Sequence, residues 1–246
     1  MLLQGPPHSR DDQLTFVEDT HTYTVNGETY GSVTAWTKQH FQPFDADEVI
    51  RKMMASSRWP QSKYHGMEPD VIKASWKDLG DQESAKGTKL HADIEDFYNG
   101  HEIRNESVEW GYFQQFLKDH KHLTPYRSEW RVWDENLKIA GTIDMVFLDP
   151  KTGQVCIYDW KRSKEIKTSN RYQRAQTPEL SHMDDCNYSH YTLQLNLYKF
   201  ILERNYGLHV QEMYLICLHP NHSNYQKWPV PDICTTLEPL LDKKSI

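Results

Sequence analysis

The stretch from Gly141 to Lys161 leaves this chain little freedom. It reads Gly141-Thr142-Ile143-Asp144-Met145-Val146-Phe147-Leu148, then Asp149-Pro150-Lys151-Thr152-Gly153, then Val155-Cys156-Ile157-Tyr158-Asp159-Trp160-Lys161 after one intervening Gln. Two runs rich in β-branched and aromatic residues, joined by a segment containing Pro and Gly, predict a β-hairpin. Side chains two apart on a strand share a face, so Asp159 and Lys161 project together, and strand pairing can bring Asp144 beside them. Carboxylates so placed repel each other, and burial worsens the conflict. Two readings fit. Either a hard divalent cation, which takes oxygen ligands, resolves the repulsion, with Lys161 acting on a bound water, or Asp159 and Lys161 form a structural ion pair at a strand end.

The remaining chain reads as further strands and amphipathic helices. Residues 1–13 are expected to be a flexible lead. Leu14–Val17 and Tyr23–Val25 have strand character, and Asn26-Gly27 marks a hairpin turn. Ser32 is placed to cap a helix through Val33, Trp36 and Phe41, and Asp45 to open one through Ile50, Met53 and Met54. One helix is expected from Glu68-Pro69-Asp70, with Val71, Ile72 and Trp76 inward, and a separate one from Asp81 to about Tyr98. On the latter, His91 and Glu95 share a face, while Leu90, Ile94 and Phe97 point inward. Gly87 lowers helix stability there, which a close approach by a strand or by substrate backbone would explain. Asn105 or Ser107 caps a core helix through Trp110, Phe113, Phe116 and Leu117. Ser128–Trp133 alternates as a strand leading into Lys138-Ile139-Ala140, so three antiparallel strands surround the acids. A helix from His190 to Asn205 buries Leu193, Leu197, Phe200 and Ile201 and carries Gln194 and Tyr198 on a second face. Val210–Leu218 closes as a strand, and the segment around Trp228-Pro229-Val230-Pro231 gives no signal.

With 246 residues and a net charge of −7, the chain has the composition of a globular protein, and no run of it is apolar enough to span a bilayer. The negative balance argues against a non-specific nucleic-acid coat protein. The start of the chain has neither a signal-peptide core nor a presequence pattern. Cys156, Cys186, Cys217 and Cys234 are widely spaced with no C-x-x-C, which predicts four reduced cysteines in an intracellular protein and no zinc ribbon.

Asp144, fifteen positions before Asp159-Trp160-Lys161, resembles the PD-(D/E)XK nuclease signature. Gln194-Leu195-Asn196-Leu197-Tyr198 resembles the Q-x-x-x-Y helix of the RecB-like and lambda-exonuclease-like branch. Gly87-Thr88-Lys89-Leu90-His91 with Glu95 resembles that branch's G-T-x-x-H-x-x-x-E helix. The three motifs cover roughly residues 85 to 220, and their wording is similar to the mitochondrial genome maintenance exonuclease type and related exonucleases of large DNA viruses. The resemblance implies an α/β restriction-endonuclease-like core, a mixed central sheet flanked by helices, with a mostly helical N-terminal elaboration. As one domain it would divide into an elaboration over 1–80, a core over 81–220 and a tail over 221–246.

It also implies Mg²⁺ or Mn²⁺ held by Asp144, Asp159, the Trp160 carbonyl and His91, with Lys161 as the catalytic cation. Gln194 and Tyr198 would position water and nucleotide, and Glu95 would hold a water or orient a basic partner. Glu129 sits where relatives carry an acid, or is a plain surface acid. No iron–sulfur cluster is expected, since no Cys precedes Cys156 and none cluster near the C-terminus. DNA is the expected partner. Arg162, Lys164, Lys167, Arg171 and Arg174, directly after Lys161, suit phosphate contacts or a solvated loop, and Ser163 resembles the hydroxyl residue that follows this Lys in relatives. Ser32 and Thr34 lie near substrate phosphate in the mitochondrial type, or belong to an ordinary helix cap. The loop Arg58–Gly66 either grips single strands or is plain surface. The implied activity is an exonuclease on single-stranded or end-containing DNA. The alternatives are a structure-specific or cap-snatching-type endonuclease and, in another class, an inactive nucleic-acid-binding module.

Overall fold

The computed structural model describes residues 7–242; residues 1–6 of the expected lead and the last four of the tail lie outside the described residues. The chain forms two compact units, one made of Pro43–Leu90 and the other of the residues on either side of it.

The larger unit is built on an eight-stranded mixed sheet. Its strands are β1 (Leu14–Val17), β2 (Thr22–Val25), β3 (Glu28–Ser32), β4 (Thr124–Asp134), β5 (Ile139–Leu148), β6 (Val155–Lys161), β7 (Val210–Cys217) and β8 (Gln226–Pro229). The order is β1-β2-β3-β5-β6-β7-β8, with β4 pairing β5 off that path. β3 runs parallel to β5 and β6 parallel to β7, while β4–β5 and β5–β6 are the expected antiparallel pairs. The β2–β3 turn uses Asn26 and Gly27, both at positive φ as a two-residue hairpin loop requires. The β5–β6 connection closes through Gly153, also at positive φ.

Helices cover both faces of the central strands. On one face α1 (Val33–Lys38) and α5 (Asn187–Asn205) pack Val33, Trp36, Leu193 and Leu197 against Ile143 and Ile157. On the other, Phe113 and Phe116 of α4 (Val108–Asp119) meet Trp160 edge-on. Tyr98, at the end of α3 (Pro69–Tyr98), meets Phe147. Strand β6 is therefore buried on both faces, which is why it reads as a continuous apolar run interrupted only at Asp159 and Lys161. The mixed sheet with flanking helices is the architecture the motifs implied.

Several local expectations change. Residues 69–98 form one helix, not two. Gly80 does not break it, and Lys77 and Asp81, four apart, pair at 2.5 Å across that position. No described atom of the chain stands within 4 Å of a Cβ at Gly87, so no strand approaches that residue. Phe97 is 38% exposed and Tyr98 takes the inward place beside Leu90 and Ile94. Leu117 and Phe200 are only partly buried. Ser107, not Asn105, caps α4 by accepting from the Trp110 amide. The tail supplies β8 and α6 (Cys234–Asp242), which the sequence did not reveal.

In the smaller unit, Asp45 caps α2 (Ala46–Met54) by accepting from the Glu48 amide, and Phe44 and Tyr64 pack near Trp76.

Candidate metal centre

The acids meet where the sheet opens. The β5–β6 ladder ends at the pair Met145 and Tyr158. Beyond it the Trp160 amide donates to Asp144 Oδ2 at 2.8 Å, so a side chain replaces the next ladder bond and fixes that carboxylate. On β4, Glu129 lies between the pairs Ser128–Met145 and Trp130–Ile143 and adopts φ +43°. A left-handed residue inside a strand is uncommon outside glycine and costs energy, and it falls here at the residue facing the cluster.

His91 reaches the same point from α3. Its Nε2 lies 2.9 Å from the Trp160 carbonyl oxygen. A carbonyl only accepts, so Nε2 carries a proton and Nδ1 faces the acids. Nδ1 is 3.6 Å from Asp144 Oδ2 and 3.9 Å from Glu129 Oε1. One donor atom from each of His91, Glu129 and Asp144 lies within 4.8 Å of the others; among the described residues these three converge in this way.

The electrostatics show what this cluster lacks. Burial, then Asp144, Glu95 and Asp159, push the Glu129 carboxyl up to about 9. Burial pushes Asp159 up, Lys161 pulls it back and Asp144 adds to the rise, leaving it at about 6. Neither acid ionises at its ordinary value without more positive charge nearby. The donor set, hard oxygens with one imidazole whose other nitrogen is held by a carbonyl, suits a divalent ion such as Mg²⁺ or Mn²⁺.

Lys161 Nζ lies 2.6 Å from Asp159 Oδ2, and Asp159 is 2% exposed. Burial alone would lower the Lys161 pKa, but Asp159 and Asp144 carry it above its ordinary value. Lys161 is thus held in its charged form, fitted to neutralise charge and donate hydrogen bonds. Its Nζ also sits 4.9 Å from the centre of the Tyr191 ring. Tyr191 was missed from the sequence, although it lies three residues before Gln194, on neighbouring helix surface.

Tyr198 is buried and hydrogen-bonded to Gln194, and burial raises its hydroxyl well above the ordinary range. Gly141 makes room for it. A Cβ at 141 would stand 2.8 Å from Tyr198 Cε1 and 2.9 Å from its hydroxyl and from Val33 Cγ2. Glu95, its carboxyl raised by burial, lines a polar cavity of about 550 Å³ with Glu129, Asn99, Arg127 and Arg131.

The other anticipated residues sit as follows. Ser32 accepts from the Ala35 amide as an ordinary cap, and Thr34 is exposed. Arg162 is turned inward, its Nε 2.7 Å from Glu109 Oε1 and its side chain 6% exposed. Ser163 Oγ donates to the Glu165 carbonyl. Lys164, Lys167, Arg171 and Arg174 are exposed, and Arg174 lies 3.5 Å from Asp184. The four cysteines are all free. No helix among the described residues is long and apolar enough to cross a membrane.

A family model described as the PD-(D/E)XK nuclease superfamily matches residues 66–230. No curated protein matches the chain. Among solved structures, the crystal structure of SSO0001 matches with 14% identity and a TM-score of 0.33, covering 87% of this chain and 73% of that one.

Proposed function

Since the chain belongs to the PD-(D/E)XK nuclease superfamily, we propose that it is a Mg²⁺- or Mn²⁺-dependent deoxyribonuclease of the RecB-like and lambda-exonuclease-like branch. It acts as an exonuclease on single-stranded or end-containing DNA, in replication, repair or recombination. The observation that carries this reading is the convergence of His91 Nδ1, Glu129 and Asp144 beside the buried Asp159–Lys161 pair. The branch is supported by His91 and Glu95 on α3 and by Gln194 and Tyr198 on α5, the latter packed against Gly141 of the same strand as Asp144.

His91, Glu129 and Asp144 would hold the ion, with Asp159 and the second lone pair of the Trp160 carbonyl adjacent. When bound, it supplies Lewis-acid polarisation of a phosphoryl oxygen and a water of lowered pKa. The chain's own groups do the rest. Lys161, already charged, offsets negative charge growing on the phosphate. Asp159 keeps that ammonium in place. Gln194 and Tyr198 position the water and the scissile nucleotide, and the products carry 5′-phosphates. Lys164, Lys167, Arg171 and Arg174 take the phosphates of the strand.

The test sets linear against circular single-stranded DNA of one sequence, with Mg²⁺, with Mn²⁺ and with EDTA. Degradation of the linear form alone, abolished by EDTA, supports the reading. Cutting of the circle makes the protein an endonuclease. No cleavage with either metal makes it a binding module.

A further inference from the structure

The segment joining β6 to α5 presents one side chain that the fold does not use. Tyr172 is 94% exposed, the most exposed large hydrophobic side chain among the described residues; the next, Phe44, is 75% exposed. Its backbone, by contrast, is held. Asn170 Oδ1 accepts from the amides of Tyr172 and Gln173 at 3.0 and 3.3 Å. Asn170 is itself anchored, its amide donating to Asp184 Oδ2 and its Nδ2 to the Asp185 carbonyl. On the far side the Asp185 amide donates to the Gln173 carbonyl, and the Ala175 amide donates to the Met183 carbonyl. The segment also has apolar anchors, for Ile166, Ala175 and Leu180 are buried. The loop therefore buries its other apolar groups and holds the Tyr172 ring out in water on a braced turn.

The charge around that ring is one-sided. Lys164, Lys167 and Arg171 are exposed, Arg171 next to Tyr172, against the exposed acid Glu165, and Arg174 is exposed and pairs with Asp184. Asp184 and Asp185 are engaged by Arg174, Asn170 and His190. An exposed ring on a loop that carries exposed cations matches the chemistry of an unpaired nucleotide, whose base offers a π-face and whose phosphates offer charge. A duplex would satisfy the cations but leave the ring idle, because its bases already stack on each other. An acidic peptide likewise has no use for the ring.

We propose that Tyr172 is a stacking platform for an unpaired base, so that this loop takes single-stranded in preference to paired nucleic acid as it leaves the end of β6. This deepens the nuclease reading above and rests on it.

The experiment measures affinity of the full chain for a labelled oligothymidylate and for a duplex of equal length, in EDTA to prevent cleavage, at several salt concentrations. Wild type is compared with Tyr172→Ala and Tyr172→Phe. Loss of one stacked base weakens single-strand binding about 5- to 150-fold in Tyr172→Ala. Tyr172→Phe keeps the affinity, duplex binding is unchanged, and the salt slope stays the same because no phosphate contact is lost. One abasic position in the oligonucleotide weakens the wild type by a similar factor and leaves Tyr172→Ala unaffected. A wild-type affinity in Tyr172→Ala, or an equal loss on duplex, overturns the proposal. The ring is solvated, so thermal unfolding of Tyr172→Ala should match the wild type, and a large fall in stability would also overturn it. Cleavage of linear DNA by the wild type with Mn²⁺ separates the two readings. If the wild type cleaves while Tyr172→Ala binds normally, the stacking role fails and the nuclease stands. If the wild type neither binds nor cleaves, both fall.

Discussion

Replacing Asp159 by Asn should stabilise the metal-free protein while abolishing cleavage. Asp159 is 2% exposed, and burial with Asp144 raises its carboxyl from an ordinary 3.8 to about 6 despite the pull of Lys161. At about 1.4 kcal/mol per unit, ionising it in the folded chain costs about 3 kcal/mol more than in the unfolded chain. The folded value lies above the unfolded one, so the group's contribution is complete below about pH 4 and is lost as pH rises through about 6. Asp159→Asn has nothing to ionise, so the gap over wild type opens across that window and stays constant above it. The opposing effect is the stranding of Lys161, since breaking a buried ion pair typically costs about 3–5 kcal/mol. Here Lys161 keeps the field of Asp144 and the Tyr191 ring, and its side chain is 17% exposed. The relief of Asp159 should therefore win. Urea denaturation in EDTA should show the variant more stable by up to about 3 kcal/mol at about pH 8, several degrees in Tm, and indistinguishable near the unfolded carboxylate value. A loss of about 3–5 kcal/mol at about pH 8 would show that the ion pair, not desolvation, governs this residue.

Four further outcomes follow from the same geometry. Glu129, pushed up to about 9, is protonated at neutral pH without metal, so calorimetry in buffers of different ionisation enthalpy should read release of about one proton per divalent ion bound; a buffer-independent enthalpy would refute it. The apparent metal affinity should rise with pH up to that value and level off above it. His91→Ala should weaken metal binding and cleavage together, with partial rescue by Mn²⁺, whereas an unchanged metal titration would make His91 a packing residue. Gly141→Ala forces a methyl to within 2.9 Å of Tyr198 and Val33 and should cost about 1–3 kcal/mol in chemical denaturation, together with activity; wild-type stability would mean that Tyr198 moves freely.

What could be read along the chain was whatever depends on local periodicity. Asp159 and Lys161 share a face because a strand repeats every second residue, and they are found paired at 2.6 Å. Asp144 entered by the hairpin between two apolar runs, and His91 with Glu95 by four-residue helical spacing. The mixed sheet and its helical cover followed from the resemblance that the motifs carry. What local pattern could not supply was register and termination. The continuity of α3 through Gly80 and the pairing of β8 on β7 depend on neighbours distant in sequence or on the lack of a terminator. The segment around Trp228-Pro229-Val230-Pro231 gave no signal, and Pro229, the last residue of β8, is of a type that sheets admit mainly on edge strands.

The same division explains the site. Glu129 was left between a site acid and a surface acid because alternation along β4 says only which face it takes. Its convergence with His91 and Asp144 needs the β4–β5 register and a positive φ that no propensity for Glu would suggest. Arg162 shows the opposite error. Its position in a basic run suited phosphate contact, but α4 lies over that end of β6 and Glu109 draws the guanidinium inward. The cations that remain exposed begin at Lys164, so the phosphate contacts proposed above fall to the loop beyond the strand and not to Arg162. In the proposed reading, the charge meant for chemistry is the buried, mutually compensated Asp159–Lys161 pair, while the charge meant for binding is solvated and carried by the braced segment around Asn170. A chain with net charge −7 can meet a polyanion on those terms, because the excess negative charge need not lie on the surface that makes contact.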